Sequence, residues 1–245
     1  MSHSSTAALV LFSGGQDSTT CLAWALERFG RVETVGFDYG QRHRIELDCR
    51  ETVRRGLAGL NADWGSRLGP DHMLDATVLR SLGETAMTHD VSIEMTEAGL
   101  PSTFVPGRNL LFLTLAGALA SRRGISVLVG GMCETDYSGY PDCRPAYIEA
   151  FETMANLATK SGVEASAGDG RRIIIHAPLI DLTKAGIIAR RTGLGVDYSR
   201  TMSCYDPVEE SSKDGFLHCG RCDDCVLRKK GFAEAGFEDP TAYHH

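Results

Sequence analysis

The sequence predicts a doubly wound α/β protein with a parallel sheet of about five strands and a small cysteine-rich segment behind it. Three observations predict it. An apolar run, Leu9 to Phe12, stops at a glycine turn that leads into a helix. Further short apolar runs then alternate with helical patterns, which gives parallel strands joined by helical crossovers. Finally, four of the eight cysteines crowd into the last fifth of the chain. The 245 residues suit one large domain, residues 1–200, with an appendage over 201–245 packed on it.

The first strand has the continuous apolar character of a strand covered on both faces. Ser13 to Asp17 cannot continue it, because adjacent glycines are entropically costly in a strand. Ser18 is a good N-cap, so a helix is expected over Thr19–Phe29. The turn and the helix start together present backbone N–H groups to an anion, most commonly a phosphate. Val32–Phe37 is the second strand, ended by Asp38, Tyr39 and Gly40 at the edge where open sheets bind ligands. A helix over Arg44–Leu60 follows, then a loop over Asn61–Gly69 and a short strand at His72–Leu74. Thr85–Thr103 is an irregular stretch of the length used for lids and binding loops.

Pro106 and Gly107 form a stiff turn into a helix over Leu110–Ser121, apolar almost all round and therefore expected to be buried. Ser126–Val129 is the next strand. Met132–Pro145 is a loop dense in functional groups, followed by an amphipathic helix, Tyr147–Lys160. Gly162–Gly170 reads as a flexible surface excursion. Ile173–Ala177 is the fifth strand, and Asp181 or Thr183 caps a helix through Arg191. The first strand should be central, with its loop where the strand order reverses.

Composition excludes several classes. Asp and Glu outnumber Lys and Arg, 32 to 25, for a net charge of −7. The basic face expected of a nucleic-acid binder is not visible. No apolar run of about eighteen residues marks a membrane span, and Met1–Thr6 is too short and polar for a signal peptide. A cytoplasmic protein is expected, where cysteines serve as metal ligands or catalytic groups more than as disulfides.

Cys204, Cys219, Cys222 and Cys225 can close a tetrahedral thiolate site. Zn²⁺ suits it, in a structural role, because four thiolates leave no open position for substrate. An iron–sulfur cluster is the rival, although the terminal Cys-Pro of a ferredoxin run is replaced by Lys229-Lys230. Cys21 and Cys49 fall in expected helices and read as small core residues.

Ser13-Gly14-Gly15-Gln16-Asp17-Ser18 lacks the Gly-Lys-Ser/Thr ending of the Walker loop and is no dinucleotide fingerprint. It resembles the pyrophosphate (PP) loop of the ATP pyrophosphatases, whose adenine nucleotide alpha hydrolase-like fold is the doubly wound sheet expected here. Phe37–Arg44, Thr103–Asn109, Glu134–Arg144 and the cysteine cluster extend the likeness. Together with the loop they are similar to the 7-cyano-7-deazaguanine synthase family of queuosine biosynthesis, over about Ala8–Gly231. The Asn61–Pro70 loop, the Gly162–Gly170 excursion and the wide gap between Cys204 and Cys219 depart from it in loop length alone.

The resemblance implies an ATP-dependent ligase that turns 7-carboxy-7-deazaguanine and ammonia into the nitrile. It also implies a homodimer, one structural zinc per chain, Mg²⁺ with ATP, and no nucleic acid or membrane partner. The ATP set it implies is Phe12, Ser13, Gly14, Gly15, Gln16, Asp17, Ser18, Thr19, Thr20, Cys21, Leu22 and Asp38, with Tyr39 beside the adenosine. Asp17, Ser18, Lys184 and Arg108 are the catalytic candidates: Asp17 in the Mg²⁺ shell, Lys184 against the departing pyrophosphate, Arg108 on phosphate or carboxylate. A carboxylate can accept two N–H groups of a guanine-like edge, and Glu134, Asp136 and Asp142 are candidates, with Tyr137 or Tyr140 stacking on the ring. His43 is either placed for proton transfer or a plain polar histidine. The alternative within the superfamily is a tRNA-modifying enzyme, thiolating or lysidine-type, using the same loop with Cys133 or Cys143 carrying sulfur.

Overall fold

The computed structural model describes residues 4–41, 45–89, 102–133, 140–168, 170–210 and 215–244. Five parallel strands form one sheet in the order β3-β2-β1-β4-β5: β1 (Ser4–Leu11), β2 (Phe29–Asp38), β3 (Leu68–Asp75), β4 (Val127–Val129) and β5 (Ile174–His176). β1 is central, as the sequence predicts. It pairs with β2 through Ala8–Val32 and Val10–Thr34, and with β4 through Leu9–Leu128. The chain leaves β1 toward one edge and returns for β4 on the other side. The loops after β1 and β4 therefore diverge and open a crevice at the C-terminal edge.

Alternation along β1 explains why it is apolar without interruption. Ala8 and Val10 face a core shared with α1 (Gln16–Arg28), α2 (Ile45–Leu60), α3 (Ala62–Arg67) and α7 (Lys184–Leu194). Leu9 faces the opposite core, shared with α4 (Arg108–Arg123) and α5 (Pro145–Ala158). Burial on both faces is the parallel-sheet signature.

Three expectations are corrected. The Asn61–Gly69 loop contains α3, because the Asn61 side chain accepts the Asp63 N–H at 2.8 Å and buried Trp64 anchors the turn. The Gly162–Gly170 excursion contains α6 (Lys160–Ser166): Thr159 accepts the Gly162 N–H at 3.3 Å, and Gly162 lies so close to Asn156 that a side chain there would clash. The helix expected to be buried all round, α4, is one-sided. Leu113, Ala116, Gly117 and Ala120 face the sheet, whereas Leu110 is 46% exposed.

After α7, a hairpin of β6 (Val208–Glu210) and β7 (Gly215–Leu217) leads to α8 (Asp223–Ala235). α8 packs on α7 because Gly231 leaves room for Lys184 and Ile188. Its Phe232 enters the main core with Ile187 and Ile188. Arg228, 1% exposed, donates to the Thr201 hydroxyl at 3.1 Å and the Tyr198 carbonyl at 3.0 Å, between the rings of Tyr198 and Phe232. The Tyr198 hydroxyl in turn bonds Thr20 of α1. Among the described residues, no helix is long and apolar enough to cross a membrane.

Candidate active site

The turn after β1 takes its shape from α2. Gly14 has φ of +103°, and a Cβ there would lie 2.4 Å from the Glu46 carbonyl oxygen. A Cβ on Gly15 would lie 2.9 Å from a Glu46 carboxylate oxygen. Only glycine allows α2 to press this closely on the loop.

Ser18 does not cap a helix starting at Thr19. α1 begins at Gln16 with Gly15 at its cap and no side-chain capping bond. The Ser18 hydroxyl instead accepts the N–H groups of Ser13 (3.2 Å) and Gly14 (3.3 Å) and donates to the Gly15 carbonyl (3.1 Å), closing the loop on itself. The first backbone bond of the helix runs from the Thr19 N–H to the Gly15 carbonyl at 3.0 Å. The N–H groups of Gln16, Asp17 and Ser18 precede it and form the anion-ready terminus.

Lys184 opens α7 and donates to Asp17 Oδ2 at 2.8 Å. Of the two capping candidates, Thr183 makes the bond, accepting the Gly186 N–H at 3.1 Å. A cavity of about 310 Å³ lies over these groups, within the range of small-molecule sites. Phe12, Ser13, Gly15, Gln16, Asp17 and Ser18 line it from the loop, and Phe37, Tyr39 and Gln41 from the end of β2. Glu46, Arg108, Phe112, Met132, Cys133, Tyr140, Cys143, Lys184, Ser203, Cys204, Tyr205 and Asp224 are among the other residues of its walls.

Gly14, Thr19, Thr20, Cys21, Leu22 and Asp38 do not line it. Gly14 faces α2, Thr19 bonds back to the Gly15 carbonyl at 2.8 Å, and Cys21 and Leu22 are wholly in the core. Asp38 alternates with Phe37 and Tyr39 along the strand, and its carboxylate accepts the Gly40 N–H at 3.2 Å. Asp142 is likewise outside the cavity wall; it accepts the Asn109 N–H at 3.3 Å and ties its turn to α4. Glu134, Asp136, Tyr137 and His43 lie outside the described residues.

Arg108 and Tyr140 do meet, with the guanidinium 6.0 Å from the ring centroid. Tyr140 is held by a 2.7 Å bond between its hydroxyl and Thr103, and by stacking on Phe104. Burial works against the Arg108 charge, but Tyr39, Tyr140 and Asp142 outweigh it and hold the guanidinium firmly protonated. Burial also pushes the Tyr39 phenol up to about 12.

Two carboxylates of the wall escaped the sequence reading. Burial raises Glu46 against the opposing pull of the Ser13 hydroxyl, Arg108 and Arg50. Burial raises Asp224 to about 7 against the pull of the Lys184 ammonium. Asp224 sits between two cysteines of the cluster, so its place was implicit in that spacing. Glu46 had no local signal, because its role follows from α2 crossing the glycine turn.

The four cysteines do converge. Their Sγ atoms all lie within 4.8 Å of one another, with Cys204–Cys222 at 3.9 Å and Cys219–Cys225 at 4.0 Å. A tetrahedral ion with metal–sulfur bonds of about 2.3 Å needs sulfurs about 3.8 Å apart, so the donor set fits. Backbone N–H groups of Asp206, Cys219 and Cys222 point at the sulfurs over 3.2–3.4 Å, an arrangement suited to thiolates. His218 stands beside Cys225, and burial lowers it to about 4, so it stays neutral. Cys204 is both a cluster member and part of the cavity wall.

The family described as "Queuosine biosynthesis protein QueC" matches residues 7–236. Proteins named 7-cyano-7-deazaguanine synthase share 56% identity over 238 residues in Hyphomonas neptunium and 55% over 238 in a Bradyrhizobium strain; each alignment covers 95% of this chain and at least 95% of the relative. A protein of Sphingopyxis alaskensis named 7-cyano-7-deazaguanine synthase 2 is 54% identical, covering 93% of this chain and 94% of its own. Among solved structures, a predicted tRNA methyltransferase subunit from Methanocaldococcus jannaschii has a TM-score of 0.44 at 16% identity, covering 98% of this chain and 92% of that one.

Proposed function

Since the chain belongs to the queuosine-biosynthesis QueC family, we propose that it is an ATP-dependent carbon–nitrogen ligase converting 7-carboxy-7-deazaguanine and ammonia into 7-cyano-7-deazaguanine. The observation that carries the reading is one cavity holding the α1 N-terminus, the Lys184–Asp17 pair and Arg108.

A carboxylate does not react with ammonia until one oxygen becomes a leaving group. In our reading the substrate carboxylate attacks the α-phosphorus of ATP, forming an acyl-adenylate and releasing pyrophosphate. The α1 N–H groups and Lys184 stabilise the charge that develops on the departing pyrophosphate. Ammonia adds to the acyl carbon, AMP leaves, and a proton is lost, giving the amide. A second ATP adenylates the amide oxygen, releasing pyrophosphate. Loss of AMP and the remaining N–H protons gives the nitrile. Arg108 suits the substrate carboxylate because its charge is secured within the wall, and Tyr140 offers a fixed ring for the base to stack on.

Residues 1–200 then form the ATP-binding domain, and 201–245 a segment that depends on zinc held by Cys204, Cys219, Cys222 and Cys225. Mg²⁺ accompanies ATP and screens the triphosphate. The enzyme is a cytoplasmic homodimer in this reading, with cysteines that serve as metal ligands and core residues and not as disulfides.

The test is one incubation of zinc-loaded protein with Mg²⁺-ATP, ammonium and 7-carboxy-7-deazaguanine, read by mass spectrometry. Nitrile with AMP is the expected result. Nitrile with ADP keeps the ligase and overturns the adenylation route. An unconverted base overturns the assignment in favour of the RNA-modifying branch of the superfamily.

A further inference from the structure

Two carboxylate oxygens at the cavity have no hydrogen-bond partner among the described residues although solvent does not reach them: Asp17 Oδ1 and Asp224 Oδ2. Gln16, 4% exposed and lining the same cavity, has an unpartnered Nε2. Buried polar atoms are nearly always satisfied, and the exceptions commonly mark a bound ion or ligand. Lys184 takes the other oxygen of Asp17 at 2.8 Å, and Lys184 and Asp17 are charged groups that Asp224 faces. A triphosphate in this cavity would bring several negative charges beside the two carboxylates. Hard divalent cations take oxygen ligands of this kind and keep part of their shell for phosphate.

We propose that Asp17 and Asp224 are the protein's two ligands for the divalent cation that travels with the nucleotide, with Lys184 turning from Asp17 to the phosphates as the cation enters. The unpartnered Gln16 amide then donates to a phosphate oxygen. The inference rests on the ATP-dependent reading and deepens it: α8, the helix of the cysteine segment, supplies a ligand to the nucleotide site.

The test uses the zinc-loaded protein, α,β-methylene-ATP and Mn²⁺, with bound Mn²⁺ read by electron paramagnetic resonance. Asp224→Asn should weaken Mn²⁺ binding in the ternary complex at least tenfold while zinc content and thermal midpoint stay at parent values. Asp17→Asn, in α1 and not in α8, should show the same loss, so a folding defect in either variant leaves the other to decide. Mn²⁺ affinity within twofold of the parent, with the analogue bound as tightly, overturns the cation site and leaves the ligase reading standing. A parent protein that binds no analogue overturns both.

Discussion

At the scale of single residues, charge is placed in two different ways. Glu33 on β2 is wholly shielded, yet it is bound by Arg123 at 2.9 Å through two bonds, by His72 at 2.8 Å and by Arg31. Burial would raise its pKa, but these partners win and lower it to about 2. The unfolded chain therefore binds more protons between that value and the ordinary carboxylate range. The stabilisation is complete above pH 4.5 and is lost as pH falls toward 2. It amounts to about 3 kcal/mol. Glu33→Gln should lower the thermal midpoint at pH 7, and the gap to the parent should narrow below pH 4.5 and close only near pH 2; a gap independent of pH would refute the electrostatic account. Lys184 sits at the site itself. Lys184→Met should reduce kcat/KM about 100-fold with the fold kept, as seen by circular dichroism, and near-parental turnover would exclude it from pyrophosphate departure. Sequence reading named Asp17, Arg108 and Tyr140, which a loop motif or a family likeness marked, and Lys184 from its place at the start of a late helix; all four line the cavity. It missed Glu46 and Asp224, which reach the cavity wall only once α2 and α8 have packed into place.

Among the elements, the five strands of the sheet and the long helices up to α7 were legible, because continuous apolar runs are local properties of the chain; the β6–β7 hairpin and α8 were not read. The short helices α3 and α6 were not. Apart from Trp64 their residues are mostly small or polar, and each depends on one capping side chain, Asn61 or Thr159, plus packing against a neighbour. The reading of α4 failed for a related reason. Its composition is apolar all round, but the side that meets the sheet is the one carrying Leu113, Ala116 and Ala120. The loop between β1 and α1 gives the sharpest prediction at this scale. Gly14→Ala forces a side chain into positive φ and onto the Glu46 carbonyl. It should cost about 2–3 kcal/mol and raise KM for ATP, whereas Gly117→Ala, with nothing within 4 Å, should be neutral or slightly stabilising. Urea titrations of both variants check the contrast, and equal stabilities would remove α2 as the reason for the glycine.

Over the whole molecule, the cysteine segment is continuous with the candidate active-site cavity. Cys204 belongs to both, Ser203 and Tyr205 flank it in the wall, and Arg228 and Phe232 fasten α8 to the core. Removing the metal should therefore act on stability and on ATP together. Cys222→Ser should lose the ion and lower the thermal midpoint by on the order of 10 °C, with weaker ATP binding in calorimetry. Full zinc retention in that variant would show that the four thiols are not the ligands. The same continuity has a bearing on how the protein is made. A ribosome releases the glycine loop well before the residues from Ser203 onward. A nascent chain thus carries the glycine turn before this part of the cavity wall exists. The cavity gains Ser203, Cys204, Tyr205 and Asp224 only once that later segment has been made and α8 has packed on α7.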